Sequence, residues 1–177
     1  MSGSDFQVSL RDLKRTQGAH KSFRVEGTYA VVAAAGLAVL PAGRLVVAEG
    51  TLEAVGDGVL VTAIAQAEVD AQCSRCLTPF VTPAEVAVQE LFVYDDRVDE
   101  FDDEDVLPIV GDQIDLADAI RDAILLDQPL IPLCREDCRG LCPRCGADLN
   151  TTPDHQHAGV VDDNPLARAL ADARRRG

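Results

Sequence analysis

Apolar and polar residues alternate most clearly in the middle of the chain. In VLVTAIAQAEVD, Val59, Val61, Ala63, Ala65, Ala67 and Val69 recur at every second position, with Thr62, Gln66, Glu68 and Asp70 between them. A period of two puts the first set on one face of a β-strand and the second on the other. RLVVAEGTLEAV precedes this run, and Gly56-Asp57-Gly58 joins the two, so residues 44–70 are predicted to form a hairpin whose turn uses glycine at positive φ. A third strand is expected at residues 84–94, where Val86, Val88 and Phe92 share a face. Three such strands in succession make an antiparallel meander.

The period then changes. After a short strand around 107–110, Leu116, Ala119, Ile120, Ala123 and Ile124 fall at i, i+3, i+4, i+7 and i+8, the spacing of one buried helical stripe. Asp115 is the expected N-cap, Asp118 suits the positive helix N-terminus, and Pro129 ends the helix. The predicted fold is therefore α+β, an antiparallel β-meander sheet with one packed helix, followed by a Cys-rich segment. Residues 27–43 are 17 uncharged residues rich in Ala and Val. They fall short of the roughly 18–20 needed to cross a bilayer, and they begin too late for a signal peptide. A buried core segment or a strand–turn–strand is expected there.

Charge subdivides the chain. Its 177 residues include 16 Lys and Arg against 30 Asp and Glu, a formal charge of −14. Such a balance argues against a surface that binds nucleic acid throughout but leaves room for local basic patches. Arg11, Lys14, Arg15, Lys21 and Arg24 make residues 1–25 a basic arm. Residues 26–130 form the expected core domain. Within it, residues 95–105 carry eight acids in eleven positions and are expected to be a mobile loop, serving solubility or attracting a basic partner. Residues 131–150 are Cys-rich, and 151–177 form a tail with a short helix expected at 165–176, ending in Arg174–Arg176.

The six cysteines carry the candidate chemistry. Nothing in the sequence marks export, and reduced clustered thiols in a cytoplasmic protein bind metal more often than they form disulfides. Cys134, Cys138, Cys142 and Cys145 lie within 12 residues and offer zinc four soft ligands. The two-residue gap in Cys142-Pro-Arg-Cys145-Gly146 suits one tight turn. A site of four thiolates has no open position and is structural. Arg135, Arg139 and Arg144 lie among these cysteines and either offset their charge or contact RNA phosphate. Cys73-Ser-Arg-Cys76 is a second pair. It either joins Cys142 and Cys145 in a split zinc site, acts as a redox dithiol, or stays as free buried thiols. The compact four-cysteine run is the preferred ligand set. His155 and His157 can replace a cysteine, but their polar context is read as exposed.

Cys73-Ser-Arg-Cys76-Leu77, the Ile114-Asp-Leu helix start leading to Pro129-Leu-Ile-Pro-Leu, and the run from Leu133 to Asn150 together resemble the YceD family of large ribosomal RNA accumulation proteins. The resemblance covers about residues 5–150. It implies a non-enzymatic, cytoplasmic factor supporting 23S rRNA accumulation or processing and large ribosomal subunit biogenesis. Its partners would be a subunit precursor, through rRNA and/or a basic ribosomal protein, and no membrane. The competing classes are a dithiol oxidoreductase using Cys73 and Cys76, and a zinc-bearing regulatory adaptor. No Walker loop, dinucleotide fingerprint or Ser–His–Asp pattern is present to support an enzyme.

Overall fold

The central hairpin forms where the alternation places it, and the other strands extend the sheet on either side. The structure, a computed structural model, describes residues 4–100 and 107–157, together with residue 173. In chain order the elements are β1 (Gln7–Ser9), β2 (His20–Thr28), β3 (Ala33–Ala35), β4 (Ala38–Leu40), β5 (Leu45–Ala54), β6 (Gly58–Gln72) and β7 (Pro79–Val93). A 3-10 helix over Asp95–Glu100, β8 (Leu107–Pro108), β9 (Gln113–Asp115) and α1 (Ala117–Leu126) follow. The main sheet runs β2-β5-β6-β4-β3, with β7 also paired to β6 and carrying the short parallel β8. A separate ribbon joins β1 to β9.

Alternation becomes packing along β6, with Ala67 and Asp70 half-buried. Val59, Val61, Ala63, Ala65 and Val69 are buried, while Thr62, Gln66 and Glu68 are exposed. Val86, Val88 and Phe92 of β7 join the same core. β7 begins five residues before its expected start because Pro79 and Pro83 lie on a strand whose far edge is unpaired until Phe92. A missing N–H costs no ladder bond there. The hairpin turn differs from expectation in mechanism. Neither Gly56 nor Gly58 has positive φ; the turn closes through Val55 N–H to Gly58 O at 2.9 Å. Gly58 is needed for close approach, since a Cβ there would collide with the Phe92 carbonyl.

The inner sheet face is covered by α1, which buries Ile120, Ile124 and Leu125 against β7, β6 and the β3–β4 hairpin. The Asp115 carboxylate accepts the Ala117 N–H at 3.0 Å from the end of β9, one residue before the formal cap. Tyr29 fastens the helix start. Its hydroxyl donates to Ala117 O at 2.6 Å and its ring stacks on Phe6 at 4.9 Å. Residues 27–43 are a strand–turn–strand on the sheet's flank, with Val31 and Val32 exposed.

Two expected boundaries are corrected. Of the expected basic arm over 1–25, the described residues 4–25 are built into the fold: β1 pairs with β9, and β2 spans residue 25 as a full partner of β5. Backbone pairing therefore decides the role of this segment more than its charge. The acidic stretch is not uniformly loop either, because residues 95–100 form a 3-10 turn in which Arg97 N–H donates to Tyr94 O. Its remainder, 101–105, lies outside the described residues, as does the expected 165–176 helix apart from residue 173. No helix among the described residues is long and apolar enough to cross a membrane.

Candidate metal centres

The β6–β7 hairpin ends in a turn made from residues 73–78. Cys73 N–H donates to Thr78 O at 3.0 Å, and Leu77 N–H donates to Cys73 O at 2.9 Å. The turn closes because Leu77 adopts φ 61°, a left-handed conformation that is unfavourable for a residue with a Cβ. After α1 the chain returns to this end of the sheet. Ser74 holds Pro132 O through both its N–H (2.9 Å) and its hydroxyl (2.8 Å). Arg75 holds the next stretch through its guanidinium on Cys138 O (2.8 Å) and its carbonyl on Leu141 N–H (3.0 Å).

These bonds bring Cys134 and Cys138 onto Cys73 and Cys76. The sulfurs of Cys73 and Cys138 lie 3.7 Å apart, as do those of Cys76 and Cys134. That is far beyond a disulfide of about 2.05 Å. It matches the edge of about 3.8 Å expected for four sulfurs set tetrahedrally 2.3 Å from a zinc ion. Cys73, Cys76 and Cys138 are buried beside Phe80, Leu133 and Leu141.

The preferred compact quartet is therefore divided. Cys134 and Cys138 face the sheet, whereas Cys142 and Cys145 turn away after the left-handed Gly140 (φ 75°) and gather with His155 and His157. The split arrangement, in which Cys73 and Cys76 would join Cys142 and Cys145, is not formed either. In the second cluster Cys142 Sγ lies 3.1 Å from His157 Nε2, Cys145 Sγ lies 3.2 Å from His155 Nε2, and the two Nε2 atoms are 3.1 Å apart. His157 is exposed as expected, whereas His155 is half-buried, and the Nε2 atoms of both rings face the cysteine sulfurs.

The two Cys-x-x-Cys turns share one backbone design. Gly146 N–H donates to Cys142 O at 2.8 Å and Cys142 N–H to Ala147 O at 2.8 Å, repeating the bonds of residues 73–78 one for one. Gly146 occupies the left-handed position (φ 73°) that Leu77 occupies in the first turn, at no Cβ penalty. Both turns also aim amides at their first sulfur. Burial opposes ionisation of Cys73, but N–H groups of Cys134, Cys76 and Arg75 bring its thiol down to about 6. His157, then the N–H groups of Arg144 and Cys145, bring Cys142 down to about 6. Cys76 is lowered by Thr78, while burial and the three neighbouring thiols push Cys134 up to about 12. Cys134 thus resists ionising beside its three neighbouring thiols, a penalty that a cation at their centre would relieve.

Asn150, which lies in the chain between Cys145 and His155, braces the four-cysteine cluster. Its side-chain oxygen accepts from Arg139 N–H and from the Arg135 guanidinium, both at 2.8 Å, and its amide nitrogen approaches Cys138 Sγ at 3.6 Å. Sequence reading missed Asn150 and Arg75; a polar residue and a cation beside Cys-x-x-Cys motifs were the available signals. The candidate contact cations divide by partner. Arg24 is tied to Glu26 and Glu49, Lys21 to Asp12, and Arg135 to Asp137 and Asn150. Arg15 lies over the Tyr94 ring. Arg11, Lys14, Arg139 and Arg144 are exposed and have no ion-pair partner among the described residues.

The molecule is thus a small sheet domain with two Cys/His clusters, each of which could hold a metal ion. The family described as large ribosomal RNA subunit accumulation protein YceD matches residues 61–172, a span that includes both clusters, and the chain belongs to that family. The uncharacterized protein Rv2926c of Mycobacterium tuberculosis is 39% identical over 161 residues, covering 89% of this chain and 77% of the relative. YlbN of Bacillus subtilis is 31% identical over 91 residues, 51% of this chain and 52% of the relative. A chloroplastic maize protein, large ribosomal RNA subunit accumulation protein YCED homolog 1, is 43% identical over 53 residues, 30% of this chain and 18% of the relative. No solved structure matches significantly.

Proposed function

We propose that this protein is a non-enzymatic factor supporting 23S rRNA accumulation and processing during biogenesis of the large ribosomal subunit, and that zinc held by Cys73, Cys76, Cys134 and Cys138 staples its structure. Family membership over residues 61–172 carries the ribosomal part of this reading. The zinc part rests on sulfur–sulfur distances of 3.7 Å and on a donor set of four thiols, which suits zinc over harder ions. Four thiolates leave no open coordination position, which favours a structural ion over a catalytic one. Cys73 is fully buried and, with Cys76, faces two further sulfurs, which favours ligation over dithiol exchange.

Arg11, Lys14, Arg139 and Arg144 are the cations best placed to meet rRNA phosphate, since no carboxylate in the described residues neutralises them. Exposed carboxylates such as Glu53 and Glu85 suit a basic ribosomal protein instead. The test is sedimentation of lysate at low salt with rRNA profiling of cells lacking the chain. The protein is expected in precursor large-subunit fractions, with 23S rRNA reduced or incompletely processed in its absence. A protein confined to the top of the gradient, with normal 23S rRNA, would overturn the proposal. The double substitution R139E/R144E should weaken precursor association and flatten its salt dependence.

A further inference from the structure

We propose that Cys142, Cys145, His155 and His157 form a second metal site, distinct from the four-cysteine cluster, which binds its own divalent ion of the zinc class. The first support is convergence. Two sulfurs and two imidazole Nε2 atoms from positions spread over 16 residues lie within 4.8 Å of one another. The closest approaches, 3.1 to 3.2 Å, fall slightly inside the edges of about 3.3 to 3.6 Å that a tetrahedron of zinc–sulfur and zinc–nitrogen bonds would give. The two rings meet edge to face at 87°, which leaves both Nε2 atoms free to point at one centre.

The second support is the chemistry of the donors. Each Nε2 faces a sulfur and the other Nε2, so four electron-pair donors surround one point. Protons can satisfy some of these contacts, but a cation satisfies all four at once. Two thiolates and two neutral imidazoles around a divalent ion also sum to zero charge, which suits a site this close to the surface. The third support is the repeated turn. Residues 142–147 copy the backbone bonds of residues 73–78, with Gly146 at the left-handed position of Leu77.

The fourth support is what the segment lacks. Among residues 142–157 only Cys142 is buried, so little apolar surface holds this loop in one shape. Ordering such a chain costs conformational entropy that side-chain packing here does not offset, and a metal clip supplies the missing term. This site does not depend on the ribosomal reading, nor on the occupancy of the four-cysteine cluster.

The test is metal analysis of the tag-free full-length protein and its H155A/H157A variant, with far-UV circular dichroism as the check on folding. Wild type is expected to carry two equivalents of zinc and the variant one, with the sheet signal unchanged. The doubly substituted H155C/H157C chain should regain two, because thiolates replace imidazoles as ligands. One equivalent in wild type that H155A/H157A abolishes would support this site and remove the ion from the four-cysteine cluster. A variant that keeps all the metal of wild type, or a wild type with none after refolding in excess zinc, overturns the proposal. Cobalt loading adds a second readout. The wild-type minus H155A/H157A difference spectrum should show mixed sulfur–nitrogen ligation, and a difference spectrum with no ligand-field bands overturns the site.

Discussion

The two cysteine clusters use the same turn and differ in nearly everything around it. The four-cysteine cluster joins residues 58 and 65 positions apart and is walled by Phe80, Leu133 and Leu141. The Cys/His cluster joins residues at most 15 apart and has Cys145 and His157 exposed. Closing a long loop removes more freedom from the unfolded chain than closing a short one, so a metal in the first cluster stabilises the domain while one in the second orders a local segment. By simple counting, the first would carry about −2 with its zinc and the second none. Arg75 and the Arg135–Asn150 pair stand beside the charged one. The same motif thus becomes a staple or a clip according to how far away its partners lie.

Breaking each cluster in turn should expose that difference. C73S/C76S is expected to have the largest effect, because it releases the Cys-rich segment from the sheet. A fall in Tm of at least about 10 °C is expected, from a loss of at least about 3 kcal/mol of metal-linked stability, measured by thermal unfolding in the presence of zinc. C142S/C145S should move the same transition by only a few degrees. A brief exposure to EDTA should next remove one of two zinc equivalents from wild type and none from H155A/H157A, since the exposed cluster releases its ion first. Equal release rates for both ions would erase the distinction between staple and clip.

Asn150 tests whether the clusters communicate. N150L removes the acceptor shared by Arg139 N–H and Arg135, and should cost about 1–2 kcal/mol in denaturant unfolding. It should also speed metal loss from the second cluster, and an unchanged rate would make Asn150 a local brace only. The smallest effect contrasts the equivalent turn positions. L77G should stabilise the first turn by up to about 1 kcal/mol by relieving its left-handed φ, while G146A should destabilise the second by about the same amount. The opposite signs are readable as shifts in denaturant midpoint, and matching signs would refute the equivalence of the two turns.

Periodicity made the sheet and helix legible because burial acts residue by residue. The inward set from Val59 to Val69, the face shared by Val86, Val88 and Phe92, and the stripe of Ile120 and Ile124 are each written in local spacing. The start of β7 was harder to read, since prolines usually mark a strand's end and here occupy an open edge. Charge dominates the composition of the N-terminal segment and predicts an arm, whereas its pairing partners, β5 and β9, lie beyond any local window.

The cysteines divide along the same line. Sequence by itself determined which atoms are available as ligands and that Cys73 and Cys76, or Cys142 and Cys145, can share an ion, because a two-residue gap fits one tight turn. Only the tertiary structure decided which pair meets which. The β6–β7 hairpin carries Cys73 to the sheet's end, Ser74 and Arg75 dock the returning chain there, and Cys134 and Cys138 arrive beside it. Cys142 and Cys145, four to seven residues past Cys138, are turned the other way toward the histidines. Ligand choice is a through-space outcome: spacing limits what a single turn can hold, and long-range backbone pairing selects its partner.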